Sequence, residues 1–391
     1  MKEAKNMKLL IVSKNSTYKQ LFEKREEGLT AFLTSSLSNT EKNIDAIFLD
    51  GEMIQIDDLN HIRELYPNQT IFFKPVALKS DILTKRISKV AAAVKIHVMN
   101  EYSTEEQLVD EITARLFEKD NTSTKRIISF FGTHSGAGVT TTVLNLARSL
   151  SQKTDEKVLV LSLNSWDPAD YLYHYEGQYL NDLKVDLNLK NLTVQRLSEA
   201  IHYNDSFYHL AGNRDIKLQR MYQPYEIEHL IQVAQQIFDV ILIDAGTHFD
   251  TAPTVQSYLS SGLKFLVTNQ EVKGYRGYFP YVFHQLIEPA GGSADDFLLI
   301  INKYQPGNTL INEKDLEDEL NMVKISTIPD VKELGTMAAY QRKLLYDFTE
   351  SAYSKEIDFL SKLIISEGNI SESINPIGKT KEKRGLFSLF N

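Results

Sequence analysis

The sequence predicts an α/β protein with two doubly wound parts, each a parallel sheet with helices on its faces. Short apolar runs alternate with amphipathic stretches over residues 8–117, and a second alternating series begins at residue 127. Such alternation favours parallel sheets. Between the series lies the polar segment 118–125, EKDNTSTK, which lacks periodicity and indicates a linker. A chain of 391 residues is also long for one domain.

In the first series, short apolar runs predict strands and longer periodic stretches predict helices. The predicted strands are Lys8–Val12, Ile44–Leu49, Thr70–Phe73 and Val94–Val98. The predicted helices are Tyr18–Leu33, Asp57–Leu65 and Thr104–Phe117. We therefore expect residues 1–120 to form the first domain.

The second series predicts a larger doubly wound domain over residues 121–366. Its predicted strands are Ile127–Phe131, Val158–Leu163, Val240–Ile243, Phe265–Thr268, Phe297–Ile301 and Lys324–Ser326. Met337–Phe348 and Glu356–Ile365 are predicted as its last two helices. The composition then turns polar, so residues 367–391 are expected to form a flexible tail with a basic and apolar end.

Composition excludes several classes of function. The chain has no cysteine, which rules out disulfides, thiolate catalysis and sulfur-based zinc sites. A net charge of −9 disfavours broad contact with DNA phosphates. No apolar run approaches the roughly 20 residues that span a bilayer. The expected location is therefore cytoplasmic, at most peripheral at the inner face of the cell membrane.

The segment 127–150 carries the clearest chemical signal. Its apolar strand runs into Gly132, Gly136 and Gly138, and the threonines 140–142 then open a helix. Glycines allow backbone N–H groups to converge on one point, and the helix N-terminus adds partial positive charge there. Strand, loop, hydroxyls and helix in this order predict a phosphate cradle. A glycine turn without a ligand is the alternative.

This loop resembles the deviant Walker A motif of the MinD/ParA family of P-loop ATPases, usually Lys-Gly-Gly-x-Gly-Lys-Thr-Thr. With Gly138 on the last loop glycine, Val139 falls on the invariant lysine and His134 on the extra signature lysine. Thr140 falls on the magnesium-binding hydroxyl. Both lysines are therefore missing. The nucleotide-binding residues that the resemblance implies are Ser135, Gly136, Ala137, Gly138, Val139, Thr140, Thr141, Asn302 and Pro329.

Other landmarks of the family can be followed along the chain. Asp244, in FDVILIDAG, matches the magnesium-linked aspartate, so the resemblance implies ATP or ADP with Mg²⁺ held by Thr140 and Asp244. The two aspartates that usually follow the second strand are replaced by Ser162 and Asn164, which cannot act as carboxylate bases. Asn302 matches the base-contacting asparagine. Binding with weak or absent hydrolysis is therefore expected, and no catalytic residue is assigned.

A hydrophobic-to-small residue in place of the Walker lysine, together with a preceding receiver-like domain, resembles the TadZ/CpaE branch of the family. That resemblance implies a spatial regulator or localisation factor for a Tad-type pilus or secretion apparatus, a homodimer, and pilus or secretion assembly proteins as partners. The alternative is an active ATPase of the MinD, ParA or flagellar-number-regulator type that cycles on membrane or DNA.

Residues 8–117 resemble a receiver domain with the flavodoxin-like fold in the count and order of their elements. Asp50 falls at the phosphoacceptor position, but Ser13 and Lys14 stand where the acidic magnesium-binding pair belongs. A lone aspartate at a strand end is more often a turn cap, so we expect a docking module. A phosphorylation-driven response regulator is the third alternative.

The C-terminus combines basic residues at 379–384 with the apolar sequence Leu386–Phe390. Such an end suits an interfacial helix on an anionic membrane. A disordered terminus or a segment that packs on a partner is the alternative. The histidines lack metal-binding spacing, and His202 and His209 are expected at the surface.

Overall fold

The computed structural model of the protein describes residues 7–26, 28–37, 44–76, 87, 90–91, 94–117, 126–165, 167–307, 310–348 and 352–373. The predicted linker at 118–125 and the basic and apolar C-terminal end lie outside these residues. The chain forms two sheets, and both are covered by helices.

Five strands form the first sheet, in the order β2-β1-β3-β4-β5, and every neighbouring pair is parallel. The strands are β1 Met7–Val12, β2 Leu29–Thr34, β3 Ala46–Asp50, β4 Thr70–Lys74 and β5 His97–Val98. Helices α1 Thr17–Arg25, α2 Leu59–Leu65 and α3 Glu105–Phe117 accompany the sheet, with a 3₁₀ turn at Ile56–Asp58.

Alternate residues of the central strands enter two different cores. Leu9 and Ile11 of β1 pack with Leu108 of α3 on one face, whereas Leu10 and Val12 pack into the core of the other face. A strand buried on both faces is a continuous apolar run, which is why MKLLIV and AIFLD lack a polar face.

The predicted helix Tyr18–Leu33 is wrong in its second half. Helix α1 ends at Arg25, and Glu26 takes an extended backbone. Residues 29–34 then pair in register with β1 as the edge strand β2. Leu29, Phe32 and Leu33 have helical spacing, but pairing with β1 places Leu29 and Ala31 in the core on one face of the sheet. The strand predicted at Val94–Val98 is likewise shorter, because only His97 and Val98 pair with β4.

Eight strands form the second sheet, in the order β13-β12-β11-β6-β10-β7-β9-β8, and every pair except β8-β9 is parallel. The strands are β6 Ile127–Gly132, β7 Val158–Ser162, β8 His202–Asn204, β9 Phe207–Leu210, β10 Val240–Gly246, β11 Leu263–Thr268, β12 Leu298–Tyr304 and β13 Val323–Pro329. The sequence did not predict the hairpin of β8 and β9.

The helices of this part are α4 Val139–Ser151, α5 Lys184–Asn188, α6 Val194–Ala200, α7 Pro224–Ala234, α8 Ala252–Ser260, α9 Phe279–Val282, α10 Glu313–Leu320, α11 Glu333–Tyr340 and α12 Ala352–Glu367. Short 3₁₀ turns lie at Leu180–Leu183, Ile216–Leu218, Ala294–Asp296 and Leu345–Asp347. Helical turns of π type flank α9 at Lys273–Tyr278 and Phe283–Ile287. Helices α4 and α12 contribute to one core of the sheet and α7 to the other.

The helix predicted at Met337–Phe348 is displaced. Helix α11 begins at Glu333 and ends at Tyr340, and Arg342 takes a left-handed backbone with φ of 51°. The chain then turns so that Leu344 and Leu345 enter the core beside α4. The side chain of Asn145 accepts a 2.7 Å hydrogen bond from the backbone N–H of Tyr346, which fixes this turn.

The segment directly after α12 packs against the body of the protein, although a flexible tail was predicted from residue 367. Thr154 Oγ1 donates a 2.6 Å hydrogen bond to the carbonyl of Ser371, and Ile370 is buried. Among the residues that the structure describes, no helix has the length and apolar content needed to cross a membrane.

Candidate functional site

The carboxyl ends of parallel strands meet at one edge of a sheet, where doubly wound folds place their ligands. In the second sheet this edge opens into a cavity of about 670 Å³, within the usual size range of a small-molecule site. All nine nucleotide-binding residues predicted from the sequence line it: Ser135, Gly136, Ala137, Gly138, Val139, Thr140, Thr141, Asn302 and Pro329.

The loop between β6 and α4 forms the floor of the cavity. Gly136 and Gly138 have φ angles of 93° and 99°, in the left-handed region that favours glycine. A Cβ atom on Gly138 would also lie only 2.1 Å from Nδ2 of Asn302. Gly138 is the N-cap residue of α4, whose first turn leaves backbone N–H groups without partners inside the helix. The loop is therefore suited to receive an anion.

Asn302, near the end of β12, is hydrogen-bonded to this loop. Its Nδ2 donates a 2.9 Å hydrogen bond to the carbonyl of Ala137, and its Oδ1 accepts one of the same length from the N–H of Lys303. The amide thus ties the end of β12 to the glycine loop. Pro329 ends β13 at the same edge.

Thr140 and Asp244, the two predicted magnesium ligands, contact each other. Thr140 Oγ1 donates a 2.6 Å hydrogen bond to Oδ2 of Asp244, and the N–H of Gly246 donates to Oδ1 at 3.1 Å. Asp244 is buried behind Thr140. Burial raises its pKa to about 7; the Thr140 hydrogen bond opposes this rise and the charge of Asp167 adds to it. A cation beside Thr140 would stabilise the ionised carboxylate.

The oxygen atoms of Thr140 and Asp244 are the donor type that Mg²⁺ prefers. Within the described ranges, no group of three or more His, Cys, Asp or Glu residues could hold a metal on its own. The pair therefore fits a magnesium ion that takes its remaining ligands from phosphate and water, which is the usual way in which this ion is bound.

Ser162 and Asn164, which replace the two expected aspartates, lie in different surroundings. Asn164 lines the cavity, and a Cβ atom on Gly246 would lie 2.6 Å from its Cγ. Ser162 is buried and its Oγ lies 2.8 Å from Nε2 of His209. The Ser162 hydroxyl is thus engaged behind the cavity wall.

The prediction that His209 lies at the surface is wrong. It is on β9, fully buried, and its Nδ1 lies 2.5 Å from the hydroxyl of Tyr173. Burial lowers its pKa to about 3, so the ring is neutral. One ring nitrogen donates and the other accepts, and Ser162 and Tyr173 satisfy both. His202, by contrast, is half-buried.

His134, at the position of the signature lysine, is also buried. Its Nδ1 lies 2.9 Å from the hydroxyl of Thr133, and its Nε2 lies 3.8 Å from Oε1 of Glu271. Burial lowers its pKa, so the ring does not extend a cation across the loop as a lysine would. Val139, at the position of the invariant lysine, packs in the apolar core beneath the loop.

Sequence reasoning missed the charged residues of this cavity, which are Asp167, Lys303, Asp330, Lys332 and Lys343. Asp167 lies in the wall, where its carboxylate accepts hydrogen bonds from the N–H of Ala169 and the hydroxyl of Tyr171, each at 2.8 Å. Lys303 reaches the loop, and its Nζ donates a 2.9 Å hydrogen bond to the carbonyl of Gly136. The Asp-Pro turn after β7 was a signal for Asp167. Lys303 follows Asn302, but no sequence pattern marks it.

Asp50, in the first sheet, has both carboxylate oxygens engaged. Its Oδ2 accepts a 2.6 Å hydrogen bond from the hydroxyl of Ser13, and its Oδ1 accepts one of 3.1 Å from the N–H of Glu52. The second contact, from the backbone N–H two residues later, is typical of an aspartate that caps a turn.

Comparison with solved structures identifies the fold around the cavity. The chain is similar to a ParA-family ATPase from Chlorobium tepidum, with a TM-score of 0.53 and 20% identity, over 61% of this chain and 99% of that one. It is also similar to the septum site-determining protein MinD from Pyrococcus horikoshii, complexed with Mg-ADP, with a TM-score of 0.50 and 20% identity. That match covers 61% of this chain and 94% of the MinD chain.

At this level of identity the likeness shows the fold alone. The protein therefore has the P-loop fold of the MinD and ParA ATPases over that part of its length. No family model matches the sequence, and no curated protein matches it significantly.

Proposed function

We propose that this protein binds ATP or ADP with Mg²⁺ and acts as a spatial regulator or localisation factor for a Tad-type pilus or secretion apparatus, with weak or absent hydrolysis. The observation that carries the proposal is the loop of Gly136 and Gly138 at the floor of a 670 Å³ cavity, backed by the bonded pair Thr140 and Asp244. This arrangement offers backbone donors for phosphates and oxygen ligands for the metal.

The proposal of weak hydrolysis rests on the residues at positions 139 and 164. Val139 is buried in the core and carries no charge, and Asn164 offers the cavity an amide rather than a carboxylate. Phosphoryl transfer depends on neutralising the phosphate charge and on orienting the attacking water. Removal of one electrostatic contact to a transition state commonly costs about 10²–10³ in rate, so the changes at these two positions leave a slow reaction.

Calorimetric titration with ATP and MgCl₂ tests the binding proposal. We expect saturable binding by the full chain and a loss of at least about tenfold in affinity for Asp244→Asn, because the amide cannot provide the negative charge that the metal needs. Asp155→Asn, at an exposed aspartate outside the cavity, is the matched control and should bind like the native chain. Absence of ATP binding by the native chain would refute the proposal.

The role in pilus or secretion assembly is supported by the family resemblance and by the first sheet, whose order 2-1-3-4-5 is that of flavodoxin-like folds. We propose that residues 1–120 form a receiver-like docking domain and residues 121–366 the nucleotide-binding domain, with the protein acting as a homodimer in the cytoplasm. Sedimentation of the full chain with and without ATP and MgCl₂ tests the dimer. Affinity purification from the native host tests for pilus or secretion proteins as partners.

The C-terminal end of the tail, with basic residues at 379–384 followed by Leu386–Phe390, is proposed to make a peripheral contact with the membrane. Its basic residues and terminal phenylalanines suit an anionic lipid surface, and two copies in a dimer would strengthen a weak contact through avidity. Co-sedimentation of the full chain with vesicles containing phosphatidylglycerol, compared with phosphatidylcholine vesicles, tests the contact. Equal recovery with both would contradict it.

The alternative function is an active ATPase that cycles on membrane or DNA, and Asp167 is the observation that favours it. This carboxylate lies in the cavity wall and its charge acts on Asp244, so it offers a second source of the group that Asn164 lacks. Turnover comparable with that of an intact P-loop ATPase, abolished by Asp244→Ala, would establish this alternative. A response regulator would instead require phosphate uptake on Asp50 from a small phosphodonor.

A further inference from the structure

Lys303 places a positive charge on the glycine loop. Its Nζ lies 2.9 Å from the carbonyl oxygen of Gly136, and its aliphatic chain passes close to Gly138, where an added Cβ would lie 3.9 Å from Cε. The loop thus has an ammonium group at its surface although its sequence contains no lysine.

The position of Lys303 is fixed by its own backbone and by the side chain of Asn302. Its N–H donates to Oδ1 of Asn302, whose Nδ2 in turn donates to the carbonyl of Ala137. Lys303 itself has a left-handed backbone, with φ of 51°, which is uncommon for a residue with a side chain. The strand end is therefore bent so that the side chain of Lys303 crosses the loop.

The acceptor that the ammonium now contacts is a neutral carbonyl. Phosphate oxygens carry negative charge, so a contact with them would add charge–charge attraction to a hydrogen bond whose donor is already ionised. Lysine is a flexible point charge with three donors, and this contact is solvent-exposed. An entering phosphate chain can therefore take the ammonium from Gly136 without rearrangement of the loop.

We infer that Lys303 is the phosphate-binding cation of this site and replaces, from the end of β12, the lysine that is absent at Val139. The ligand class is a nucleoside di- or triphosphate, and the contact is to its phosphate chain. The inference rests on the proposed nucleotide binding. It adds the residue that neutralises the phosphates and so explains how a loop without lysine retains them.

Calorimetric titrations of the full-length native chain and three variants test the inference: Lys303→Gln, Lys303→Arg and Lys314→Gln. The last removes an exposed lysine of α10 that does not line the cavity. The probes are ATP with MgCl₂, sodium tripolyphosphate and adenosine. For Lys303→Gln we expect at least about tenfold weaker binding of ATP and tripolyphosphate, with adenosine changed less than about threefold. Lys303→Arg should retain most of the affinity, and Lys314→Gln all of it.

The outcomes separate this inference from the proposed function. If the native chain binds ATP and Lys303→Gln binds it equally well, the inference fails and nucleotide binding stands. If the native chain binds neither ATP nor tripolyphosphate, both fail. If Lys303→Gln weakens the binding of adenosine as much as the binding of ATP, Lys303 supports the structure of the loop rather than binding phosphate, and the inference fails. Equal thermal unfolding temperatures of all four proteins would show that the differences arise at the site.

Discussion

Thr140 Oγ1 donates a 2.6 Å hydrogen bond to Oδ2 of Asp244, across 104 positions of sequence. Thr140 lies in the first turn of α4, and Asp244 lies near the end of β10. The contact therefore joins the helix that follows the loop to the neighbouring strand. Because the hydroxyl proton points to Asp244, the lone pairs of Thr140 Oγ1 are left for a cation. The pair therefore links metal binding to the ionisation of a buried carboxyl group.

Thr140→Val should remove the magnesium dependence of nucleotide binding. In the native chain we expect EDTA to weaken ATP binding at least about tenfold, since Mg²⁺ joins the phosphates to the protein. In the variant, ATP affinity with magnesium should fall to the EDTA level. Thr336→Val, at an exposed threonine that lines the same cavity on α11, is the control and should keep the dependence. Equal magnesium effects in native chain and Thr140→Val would count against the assigned ligand.

Gly138→Ala should destabilise the protein by about 1–3 kcal/mol. The methyl group would meet Nδ2 of Asn302 at 2.1 Å, and φ of 99° is strained for alanine. Denaturation in urea measures the change. Gly335→Ala is the control, because this helical glycine has room for a methyl group, with its nearest atom at 3.6 Å. There we expect stabilisation of about 0.5–1 kcal/mol.

A double-variant cycle identifies the cause of the Gly138 effect. Asn302→Ala removes the clashing amide but leaves the backbone strain, so Gly138→Ala with Asn302→Ala should cost less than the sum of the two single changes. Additive costs would show that the close approach of Asn302 plays no part.

Asn164→Asp should raise the rate of ATP hydrolysis. It restores a carboxylate at a position that lines the cavity, and a positioned general base contributes typically about 10²–10⁴-fold. We expect a gain near the lower end of this range, because Lys303 would reach the phosphates from β12 rather than from the helix position that Val139 occupies. The gain is measured as phosphate release under saturating ATP.

Ser162→Asp is the matched control for this gain. Ser162 faces His209 in the protein interior, so a carboxylate there should lower the unfolding temperature and leave hydrolysis unchanged. A rate increase for Ser162→Asp but not for Asn164→Asp would reverse the assignment of the two positions.

The free energy of unfolding should fall as the pH rises through the range in which the carboxyl group of Glu228 titrates. Burial raises the pKa of this carboxyl group from 4.5 to about 7; the hydrogen bond from Thr104 and the charge of Lys190 oppose the rise, and Glu106 and Asp110 add to it. At a pH between these two pKa values, the Glu228 side chain is protonated in the folded protein and ionised in the unfolded chain. Stability is therefore highest below pH 4.5 with respect to this group, and it decreases by a few kcal/mol, as an order of magnitude, by pH 7.

Glu228→Gln tests this pH dependence through urea denaturation at pH 5 and pH 8. Thr104 lies before α3 and Glu228 is on α7, so the pair joins the part of the chain with the first sheet to the part with the second. The variant should show a smaller loss of stability between the two pH values than the native chain. Glu199→Gln, at an exposed glutamate of α6, should behave like the native chain. An unchanged pH dependence in Glu228→Gln would assign the effect to another group.

The sequence by itself determined the features that depend on local pattern. Buried strands such as β6 and β10 are continuous apolar runs, and the glycines and threonines between Gly132 and Thr142 specify a turn that opens a helix. These signals predicted the α/β class, and the family resemblance that they support named nine residues that all line the cavity. They did not predict the edge strand β2 or the hairpin of β8 and β9, because the local preference of those segments is weak and pairing with a distant strand decides their structure.

Only the tertiary structure decided which charges meet in the cavity. Lys303 reaches Gly136 across 167 positions of sequence, and Asp167 acts on Asp244 from the turn after another strand. His209, polar in sequence, is buried because β9 pairs with β7 and places it against Ser162. The sequence shows that a lysine is absent from the phosphate loop, but the arrangement of parallel strand ends at one edge determines which other residue brings a positive charge there. That arrangement is a long-range property of the sheet, and no local pattern contains it.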